Sequence, residues 1–342
     1  MNFKIFKNHY EKIEVKENNN IVLNQVLISI CIVTYNHKNY VSKCLDGILM
    51  QQTNFDYEIL LGEDASTDGT REICIEYAKK YPDKIRLFLH HRENNINING
   101  SPTGRFNFLY NLYTAKGKYI ALCEGDDYWT DPYKLQKQVD VLEKNTNVSL
   151  VYSNAKIISD NKGDYVDDEY FYSENYPSTP IKNQAFFLKN NFALLSVSIM
   201  FRKEFLGAKE LELMRKFAVG DLPLHFIFSG KGDFYYINEP MVVYNDHGQG
   251  ISKTFSKLKR NLLNYKQMNW LLPYIKNENI KWFNYFCHTY LIKPIFNAFF
   301  NEVIRNKNKK ISIKQFMFIK SKHLKLRYCY YIVKLIVYKL KP

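Results

Sequence analysis

The sequence has few of the features that hold small or extracellular folds together. None of its six cysteines forms a C-x-x-C pair, and most of them lie in apolar runs. This pattern argues against a zinc site or a disulfide framework and favours buried thiols in a reducing cytoplasm. No run of about 18 uncharged apolar residues occurs, so no membrane-spanning helix is predicted. The N-terminal residues are interrupted by charge, which is not the pattern of a signal peptide.

Two common nucleotide-binding motifs are also missing. There is no G-x-G-x-x-G after the first predicted strand and no G-x-x-x-x-G-K-[ST] anywhere. Dinucleotide binding on a glycine-rich turn and Walker-type phosphate binding are therefore disfavoured. The composition is 46% hydrophobic and 16% aromatic, which excludes a disordered chain. A length of 342 residues is enough for two or three domains with a large core.

Positive charge is concentrated at one end of the chain. The formal net charge is +14, but residues 301–342 hold twelve Lys or Arg and a single acid, Glu302. The basic tail mixes these charges with apolar residues. It is compatible with an amphipathic helix on an anionic membrane surface through 306–342, with a packing helix that has a solvated basic face, or with a nucleic-acid patch. Because the body of the chain is almost neutral, we expect no nucleic-acid partner.

Strand and helix patterns alternate in the first part of the chain. Apolar runs predict strands at 27–35, 57–64, 85–90 and 118–127. Helical spacing predicts helices at 39–52, 70–80, 104–116 and 131–145, the last with Asp131 as N-cap and Pro132 at its first position. Alternation at about 30-residue spacing predicts an α/β fold with a doubly wound, mostly parallel sheet.

The pattern changes after residue 145. Strands are predicted at 148–158, 196–201, 234–238 and 241–244, with a helix at 221–230. This arrangement predicts a mixed extension of the sheet. From about residue 255 the pattern is helical to the end, so a basic helical region is expected at 256–342. Its aromatic-rich part, 262–300, is interpreted as core or as the surface of a homodimer.

Polar residues follow three of the predicted parallel strands. They are Thr34, Tyr35 and Asn36 after the first strand, Glu63 and Asp64 after the second, and Glu124, Asp126 and Asp127 after the fourth. Ligands of doubly wound sheets bind at the carboxyl ends of the strands. We therefore expect one crevice to collect these side chains.

Two of these segments could bind a ligand or could simply form turns of the fold. The run EGDDYW (124–129) has oxygen ligands that suit Mg²⁺ or Mn²⁺ shared with substrate phosphates; an acidic turn before a helix is the alternative. EILLGEDASTDGT (58–70) is either ordinary turn chemistry or a nucleotide contact. In the second case Asp64 accepts a hydrogen bond from a base N–H.

Six segments in this order resemble the large bacterial family 2 glycosyltransferases of the GT-A fold. They are VTYN (33–36), EILLGEDASTDGT (58–70), GRFN (104–107), GKYIALCEGDDYW (117–129), VGDLPL (219–224) and YNDHGQGIS (244–252). Each alone is unspecific, but their order and spacing together are specific. The resemblance implies a GT-A catalytic domain at 26–255, with a nucleotide-binding half at 26–130 and an acceptor half at 131–255.

The resemblance assigns the nucleotide-sugar pocket. Thr34, Tyr35 and Asn36 stand where the family lines this pocket. Asp64 stands at the position that contacts the base. Arg105 occupies a basic position before a helix and is expected to reach the nucleotide.

The resemblance also assigns the metal and the base. The family's Asp-x-Asp-Asp reads Glu124-Gly125-Asp126-Asp127, which implies Asp126 as the main metal ligand and Glu124 and Asp127 near ribose and diphosphate. His247 would approach the diphosphate or the metal. Asp221 stands where the family places its general base.

The implied activity is inverting, metal-dependent transfer of a hexosyl or N-acetylhexosaminyl group, with Mn²⁺ or Mg²⁺ as cofactor. The donor would be a nucleotide sugar, with UDP as the default, and the acceptor a hydroxyl of a glycan or lipid-linked glycan. A location in the cytoplasm, peripheral at the inner face of the plasma membrane, is expected.

Two rival functions remain. A sugar nucleotidyltransferase needs a Gly-rich basic loop after the first strand, which 33–40 lacks. A catalytically inactive membrane-associated scaffold is disfavoured by the intact Asp126, Asp127 and Asp221.

Overall fold

The computed structural model describes residues 2–98, 100–159, 169–173, 176–177, 179–191, 194–217, 220–247, 261, 264–265 and 267–295. The expected membrane segment 306–342, most of the expected helical region 256–342 and the motif residues 248–252 lie outside the described residues.

The described strands are β1 (Lys16–Glu17), β2 (Ile28–Thr34), β3 (Tyr57–Glu63), β4 (Ile85–Leu89), β5 (Ile96–Ile98), β6 (Ser101–Thr103), β7 (Tyr119–Glu124), β8 (Tyr128–Trp129), β9 (Val148–Ser159), β10 (Glu169–Tyr170), β11 (Ile181–Lys182), β12 (Met200–Arg202) and β13 (Asp233–Asp246). The described α-helices are α1 (Phe3–Tyr10), α2 (Val41–Leu49), α3 (Thr70–Lys80), α4 (Arg105–Thr114), α5 (Lys134–Lys144), α6 (Gln184–Asn190), α7 (Ala208–Lys216), α8 (Asp221–Lys231) and α9 (Ile280–Phe286).

One large sheet organises the molecule, in the order β1-β4-β3-β2-β7-β12-β9-β13-β11. Strands β4, β3, β2 and β7 are parallel neighbours, so their carboxyl ends lie at one edge. Strand β12 runs antiparallel between β7 and β9, and β13 pairs with β9 in parallel. The predicted α/β class, the parallel half and the mixed extension are therefore confirmed.

Alternation along the central strands divides the core between the two faces of the sheet. Ile30 and Leu61 pack with α2, α3 and α5 on one face, whereas Cys31 and Leu60 pack with α4 and α8 on the other. All four side chains are buried, which explains why these strands have continuous apolar runs. A fully buried Ile or Leu contributes about 2 kcal/mol of transfer free energy.

Several predicted boundaries differ from the structure. Helix α5 begins at Lys134, because Asp131 accepts from Tyr133 N at 2.7 Å and closes a turn before the helix instead of serving as its N-cap. The two strands predicted at 234–238 and 241–244 are one strand, β13, with register shifts around Pro240. Proline has no N–H for the ladder, so it interrupts the pairing locally without ending the strand.

Two further segments differ from the prediction in their secondary structure. Residues 196–198 form a 3₁₀ turn, and the strand β12 follows it. Between the strand predicted at 85–90 and the helix predicted at 104–116, the structure has β5, which pairs with β6 as a short antiparallel hairpin. Short polar segments of this kind carry no clear period, so tertiary pairing decides their structure.

The described part of the region after 255 is only partly α-helical. A 3₁₀ helix covers Met268–Tyr274, α9 follows, and a π-helical segment covers Cys287–Ile292. Phe283 and Phe286 are buried in the core, whereas Trp270 and Tyr285 are exposed. No helix among the residues described has the length and apolar character to cross a membrane.

The cysteines of the described chain are free and buried, as expected. They are Cys31, Cys44, Cys74, Cys123 and Cys287; Cys329 lies outside the described residues.

Candidate active site

The loops after β2 and β3 are tied to each other. Asn36 adopts a left-handed conformation with φ of 55°, its N–H donates to Ser66 Oγ at 2.9 Å, and its Oδ1 accepts from Thr67 N at 3.0 Å. His37 N donates to Thr70 Oγ1 at 2.8 Å. These bonds hold the two loops as one wall at the carboxyl edge of the sheet. Asn36 was expected only to line the nucleotide-sugar pocket. In the structure it joins the two loops that form this wall.

The two acids that end β3 have different surroundings. Glu63 accepts from Ser66 N at 2.6 Å and pairs with Arg71, so both of its oxygens are used inside the protein. Asp64 uses only Oδ2, which accepts from Arg92 Nη1 at 2.5 Å and from Asn95 Nδ2 at 3.1 Å. Its Oδ1 is enclosed and has no hydrogen-bond partner within the described part of the chain.

The free oxygen of Asp64 is consistent with a ligand contact. Burial raises the pKa of this carboxyl, and the charge of Arg92 opposes that effect. An enclosed acceptor without a donor costs about 1–3 kcal/mol. A ligand N–H that reaches Oδ1 would remove this cost.

Tyr35 and Thr34 lie beside this acid. Tyr35 is 38% exposed, and the guanidinium carbon of Arg92 lies 3.9 Å from its ring centroid. Thr34 is buried; its carbonyl accepts from Asp64 N at 3.0 Å, and its hydroxyl has no partner among the described residues. The structure thus brings Thr34, Tyr35 and Asp64 together, as the sequence predicted.

Close packing requires glycine inside the acidic motif. Gly125 N donates to Val33 O at 3.0 Å, which continues the β2–β7 ladder. A Cβ at Gly125 would lie 2.6 Å from Thr34 Oγ1 and 2.9 Å from His37 Nδ1. Any larger residue would therefore push the acids away from the loop that follows β2.

Two histidine side chains lie close to the carboxylate of Asp126. His247 Nε2 lies 2.9 Å from Asp126 Oδ2, and His37 Nε2 lies 3.7 Å from the same oxygen. The ring of His247 stacks on Tyr40, with centroids 5.0 Å apart. Two residues assigned to the metal from sequence, Asp126 and His247, are thus in direct contact although 121 positions separate them.

Asp127 links the acidic motif to β13. Its Oδ1 accepts from Asn245 N at 2.8 Å, and the side chain is buried. Burial raises its pKa, and the charges of Asp126 and Glu124 raise it further. One of its oxygens therefore holds the YNDH segment in place, which leaves less of this carboxylate for ribose or diphosphate than expected from sequence.

Glu124 is crowded by negative charge. Its Oε2 is enclosed without a partner in the described structure. Burial, followed by the charges of Asp126 and Asp221, raises its pKa to about 8. A buried carboxylate in this position is stabilised when a cation or a ligand hydroxyl arrives.

Asp221 begins α8 and lies near Arg105. Arg105 is buried, and its Nη2 donates to Phe217 O at 3.2 Å. A Cβ on Gly220 would lie 2.4 Å from Arg105 Nη1, so glycine before Asp221 makes room for the guanidinium. Burial lowers the pKa of Arg105 to about 10, and the charge of Asp221 opposes this. Arg105 thus supports the Asp221 region; contact with the nucleotide stays a prediction.

The donor set suits a cation that is shared with substrate. Across the described ranges, no group of three or more His, Cys, Asp or Glu side chains is arranged to hold a metal. Asp126 and His247 nevertheless present an oxygen and a nitrogen at one point, with the unpartnered Glu124 oxygen on the same motif. Mg²⁺ and Mn²⁺ are commonly held by one or two carboxylates, with phosphates and water completing the shell. The residues fit such a shared ion.

Sequence reasoning missed four residues of this edge. They are His37, Tyr40, Arg92 and Asn95. His37 directly follows Thr34-Tyr35-Asn36, and Arg92 and Asn95 follow β4, a parallel strand of the same sheet. The strand-end rule would have found the last two, had it been applied to β4 as well.

The family model described as Glycosyl transferase family 2 matches residues 29–207. An uncharacterized protein of Mycobacterium tuberculosis is 32% identical over 233 residues, which is 66% of this chain and 60% of that protein. The match thus spans 60% of that relative's length. An Escherichia coli protein, named UDP-Glc:alpha-D-GlcNAc-diphosphoundecaprenol beta-1,3-glucosyltransferase, is 30% identical over 139 residues, 41% of this chain and 49% of its own.

Two solved structures share the fold. The S. aureus protein TarS superposes with a TM-score of 0.56 at 13% identity, over 83% of this chain and 75% of its own. TarS has also been solved with UDP-GlcNAc. A mannosyltransferase of Pyrobaculum calidifontis, solved with GDP-Man and Mn²⁺, gives 0.51 at 14% identity over 98% of this chain and 92% of its own. The predicted GT-A fold is confirmed. With just over half of its residues matched by the family model, the chain belongs to glycosyl transferase family 2.

Proposed function

We propose that this protein is an inverting glycosyltransferase that moves a sugar from a nucleotide sugar to a hydroxyl group of a glycan or lipid-linked glycan. One observation carries the proposal. At the carboxyl edge of the parallel strands, the enclosed Asp64 Oδ1 has no partner among the described residues, and Asp126 Oδ2 lies 2.9 Å from His247 Nε2. This edge thus offers an acceptor for a base and an oxygen–nitrogen pair for a cation that would bind the donor diphosphate. The charge of Asp221, the candidate base, also acts on Glu124 of the same acidic motif.

The nucleotide-binding half is proposed to be 26–130. Asp64 offers one unpartnered oxygen to the base, and Thr34, Tyr35 and Asn36 form the wall beside it. UDP is the first donor to test, because the names of the E. coli relative and of one TarS structure contain UDP sugars. The Pyrobaculum neighbour, which binds GDP-Man, makes GDP the second. A hexosyl or N-acetylhexosaminyl group is the expected cargo.

Asp126 and His247 are proposed to hold Mn²⁺ or Mg²⁺. The bound ion would neutralise charge on the diphosphate and make it a better leaving group. The carboxyl groups of Glu124 and Asp127 lie in the same motif, and burial raises the pKa of each. A bound cation would favour their ionised forms. Asp127 also keeps His247 close by fixing the backbone of Asn245.

Asp221 is proposed as the general base of the acceptor half, 131–255. Its carboxylate takes the proton of the acceptor hydroxyl while the hydroxyl oxygen attacks the anomeric carbon. The bond between that carbon and the diphosphate oxygen breaks on the opposite side, and the nucleoside diphosphate leaves with the electron pair. Attack from the face opposite the leaving group inverts the configuration. Arg105 holds the start of α8 by its contact with Gly220 and Phe217.

The basic tail is proposed to bring the enzyme to its acceptor. Residues 306–342 combine positive charge with apolar residues, as expected for a segment that binds anionic lipid from the cytoplasmic side. The E. coli relative's name includes a diphosphoundecaprenol acceptor, which supports a lipid-linked glycan as substrate. Deletion of 306–342 should lower binding to vesicles of anionic lipid; unchanged binding would remove this part of the proposal.

The central experiment measures release of UDP from UDP-glucose and UDP-N-acetylglucosamine with Mn²⁺, with and without glycan acceptors. Release that depends on the metal and on Asp221 supports a transferase. A protein that binds these donors but never releases UDP with any acceptor would instead fit the inactive scaffold. Configuration of the product, read by NMR, tests inversion.

A further inference from the structure

The segment before the first parallel strand packs along one side of the nucleotide-binding half. Strand β1 pairs antiparallel with β4 and stands at one end of the strand order of the large sheet. Helix α1 lies against α4, where the buried ring of Phe6 stacks on Phe106 with centroids 5.3 Å apart. This N-terminal segment, residues 2–18, lies outside the part of the chain that the family model matches, 29–207.

One buried side chain joins the N-terminal segment to the loop that follows β4. Asn94 is 2% exposed, and its Oδ1 accepts from Lys12 N at 2.8 Å and from Ile13 N at 2.9 Å. Its Nδ2 donates to Ile13 O at 2.7 Å. A buried amide group with three such bonds to one short stretch of backbone fixes both the distance and the orientation between the two segments.

The residues around Asn94 contact the acid that follows β3. Arg92 Nη1 donates to Asp64 Oδ2 at 2.5 Å, and Asn95 Nδ2 donates to the same oxygen at 3.1 Å. A single 3₁₀ turn runs from Arg92 to Asn94, and Asn95 N donates to Arg92 O at 3.1 Å. In so short a turn, a displacement of Asn94 also displaces Arg92 and Asn95.

We propose that Asn94 is a positioning residue for donor binding, through which the N-terminal segment holds Arg92 and Asn95 against Asp64. Asn94 itself does not touch the donor, because both polar atoms of its side chain are bonded to backbone inside the protein. The N-terminal segment thus belongs to the frame of the donor site, although it precedes the catalytic domain expected at 26–255.

The alternative is a segment that only covers the edge of the sheet. Edge strands are often covered in this way, which stops them from pairing with other chains. Residues 16–17 of β1 already provide such cover, and Asn18 Oδ1 adds a bond by accepting from Leu87 N at 2.7 Å. The contact of Asn94 with residues 12–13 lies beyond this ladder, next to the loop after β4, so cover of the edge does not require it.

The inference rests on the proposed function, so the experiment separates the two. Calorimetric titration of the full-length protein with UDP, or with GDP if only that nucleotide binds, is carried out with and without Mn²⁺. Asn94→Ala should weaken the nucleotide about tenfold, roughly the worth of one hydrogen bond to a charged group. The ratio of affinities with and without Mn²⁺ should stay the same, because Asp126 and His247 follow other strands, β7 and β13. The variant should fold, because Lys12 and Ile13 are exposed and water can replace the lost acceptor.

Further variants test whether the contact itself is responsible. Lys12→Pro removes an N–H that donates to Asn94, so it should weaken the nucleotide about threefold, and it serves if Asn94→Ala does not fold. The double variant should bind no more weakly than Asn94→Ala alone, since both changes remove the same bond. Asn18→Ala, the matched control, breaks a side-chain bond between the same segment and β4. It should lower stability in urea and leave nucleotide affinity unchanged.

Two results would overturn the assignment. One is unchanged nucleotide affinity in folded Asn94→Ala or, if that variant does not fold, in Lys12→Pro. The other is an equal loss of affinity in Asn18→Ala, which would show that the N-terminal segment acts only through general stability. Absence of binding of both UDP and GDP to the unaltered protein would reject the proposed function together with this inference. Selective loss in Asn94→Ala by a protein that binds nucleotide but transfers no sugar would reject the function alone.

Discussion

The two ends of β3 each bury an acid, but the acids differ in how they are satisfied. Glu58, near the amino end, accepts from Ser29 Oγ at 2.6 Å, from Lys116 N at 2.7 Å and from Arg86 Nη1 at 3.1 Å. Asp64, after the carboxyl end, leaves Oδ1 without a partner among the described residues. Both side chains are almost fully buried.

The same contrast holds for the neighbouring strands. At the amino end, the hydroxyl of Ser29 on β2 also accepts from Gly117 N at 2.8 Å, just before β7. At the carboxyl end, Thr34 Oγ1 on β2 and Glu124 Oε2 on β7 are enclosed with no partner in the described structure. Buried polar groups are normally satisfied. The unpartnered groups at the carboxyl end are consistent with the ligand site proposed there.

The largest expected effect is on the rate of sugar transfer, with no change in donor affinity, and concerns Asp221. Asp221→Asn keeps the size of the side chain but removes a base, so transfer should fall about 10²–10⁴-fold while donor affinity stays the same. Initial rates of sugar transfer and titration with UDP measure the two quantities. Normal turnover in this variant would remove Asp221 from the role of base.

The second variant tests the metal at the same end. Asp126→Ala should lose the Mn²⁺-dependent part of UDP affinity, at least about tenfold, because a shared cation contributes several kcal/mol of electrostatic interaction. Thermal stability should change little, because loss of the contact between Asp126 and His247 is offset by relief of the repulsion that Asp126 exerts on Glu124 and Asp127. Asp140→Ala, at an exposed acid of α5, is the matched control. Equal affinity with and without Mn²⁺ in the unaltered protein would contradict the assignment.

A substitution at the amino end of β3 is expected to lower stability and to leave UDP affinity unchanged. Glu58→Ala removes one of the two acids that pair with Arg86 and also the acceptor of Ser29 and Lys116. We expect a loss of about 3 kcal/mol in the free energy of unfolding, as for other broken buried pairs. Urea denaturation measures it, and UDP titration of the folded variant should show unchanged affinity. A loss of binding without a loss of stability would contradict the division between the two ends.

The smallest effect concerns His90, which follows β4. Its ring packs edge-on against Phe106 and Tyr110, and burial with the charge of Arg71 lowers its pKa from 6.5 to about 3. The unfolded chain binds this proton below pH 6.5 but the folded protein does not, so stability is lost as the pH falls from 6.5 toward 3. The slope from one such group is at most about 1.4 kcal/mol per pH unit.

His90→Phe tests this contribution. The variant should lose less stability than the unaltered protein between pH 7 and pH 5, as measured by urea denaturation at each pH. Parallel curves for the two proteins would show that His90 is protonated in the fold or does not titrate differently on unfolding.

Hydrophobic patterns in the sequence predicted the parallel strands correctly but were less accurate for the elements that follow them. Apolar runs located β2, β3, β4 and β7, because strands buried on both faces are mostly apolar along their whole length. The predicted start of α5 was wrong, because Asp131 closes a turn before the helix. The prediction of two strands in place of β13 was also wrong, because β13 stays paired with β9 on both sides of Pro240. Such outcomes depend on the partner strand or turn, which the local sequence does not contain.

The sequence by itself determined the α/β class, the acids at the strand ends and the family resemblance, because these depend on residue type and order along the chain. Only the tertiary structure decided which of those acids are used internally. Glu63 and Asp64 are adjacent, yet Arg71 and Ser66 satisfy the first, while Arg92 and Asn95 take a single oxygen of the second. The partners come from separate elements of the chain, so their distances exist only after the sheet has brought those elements together.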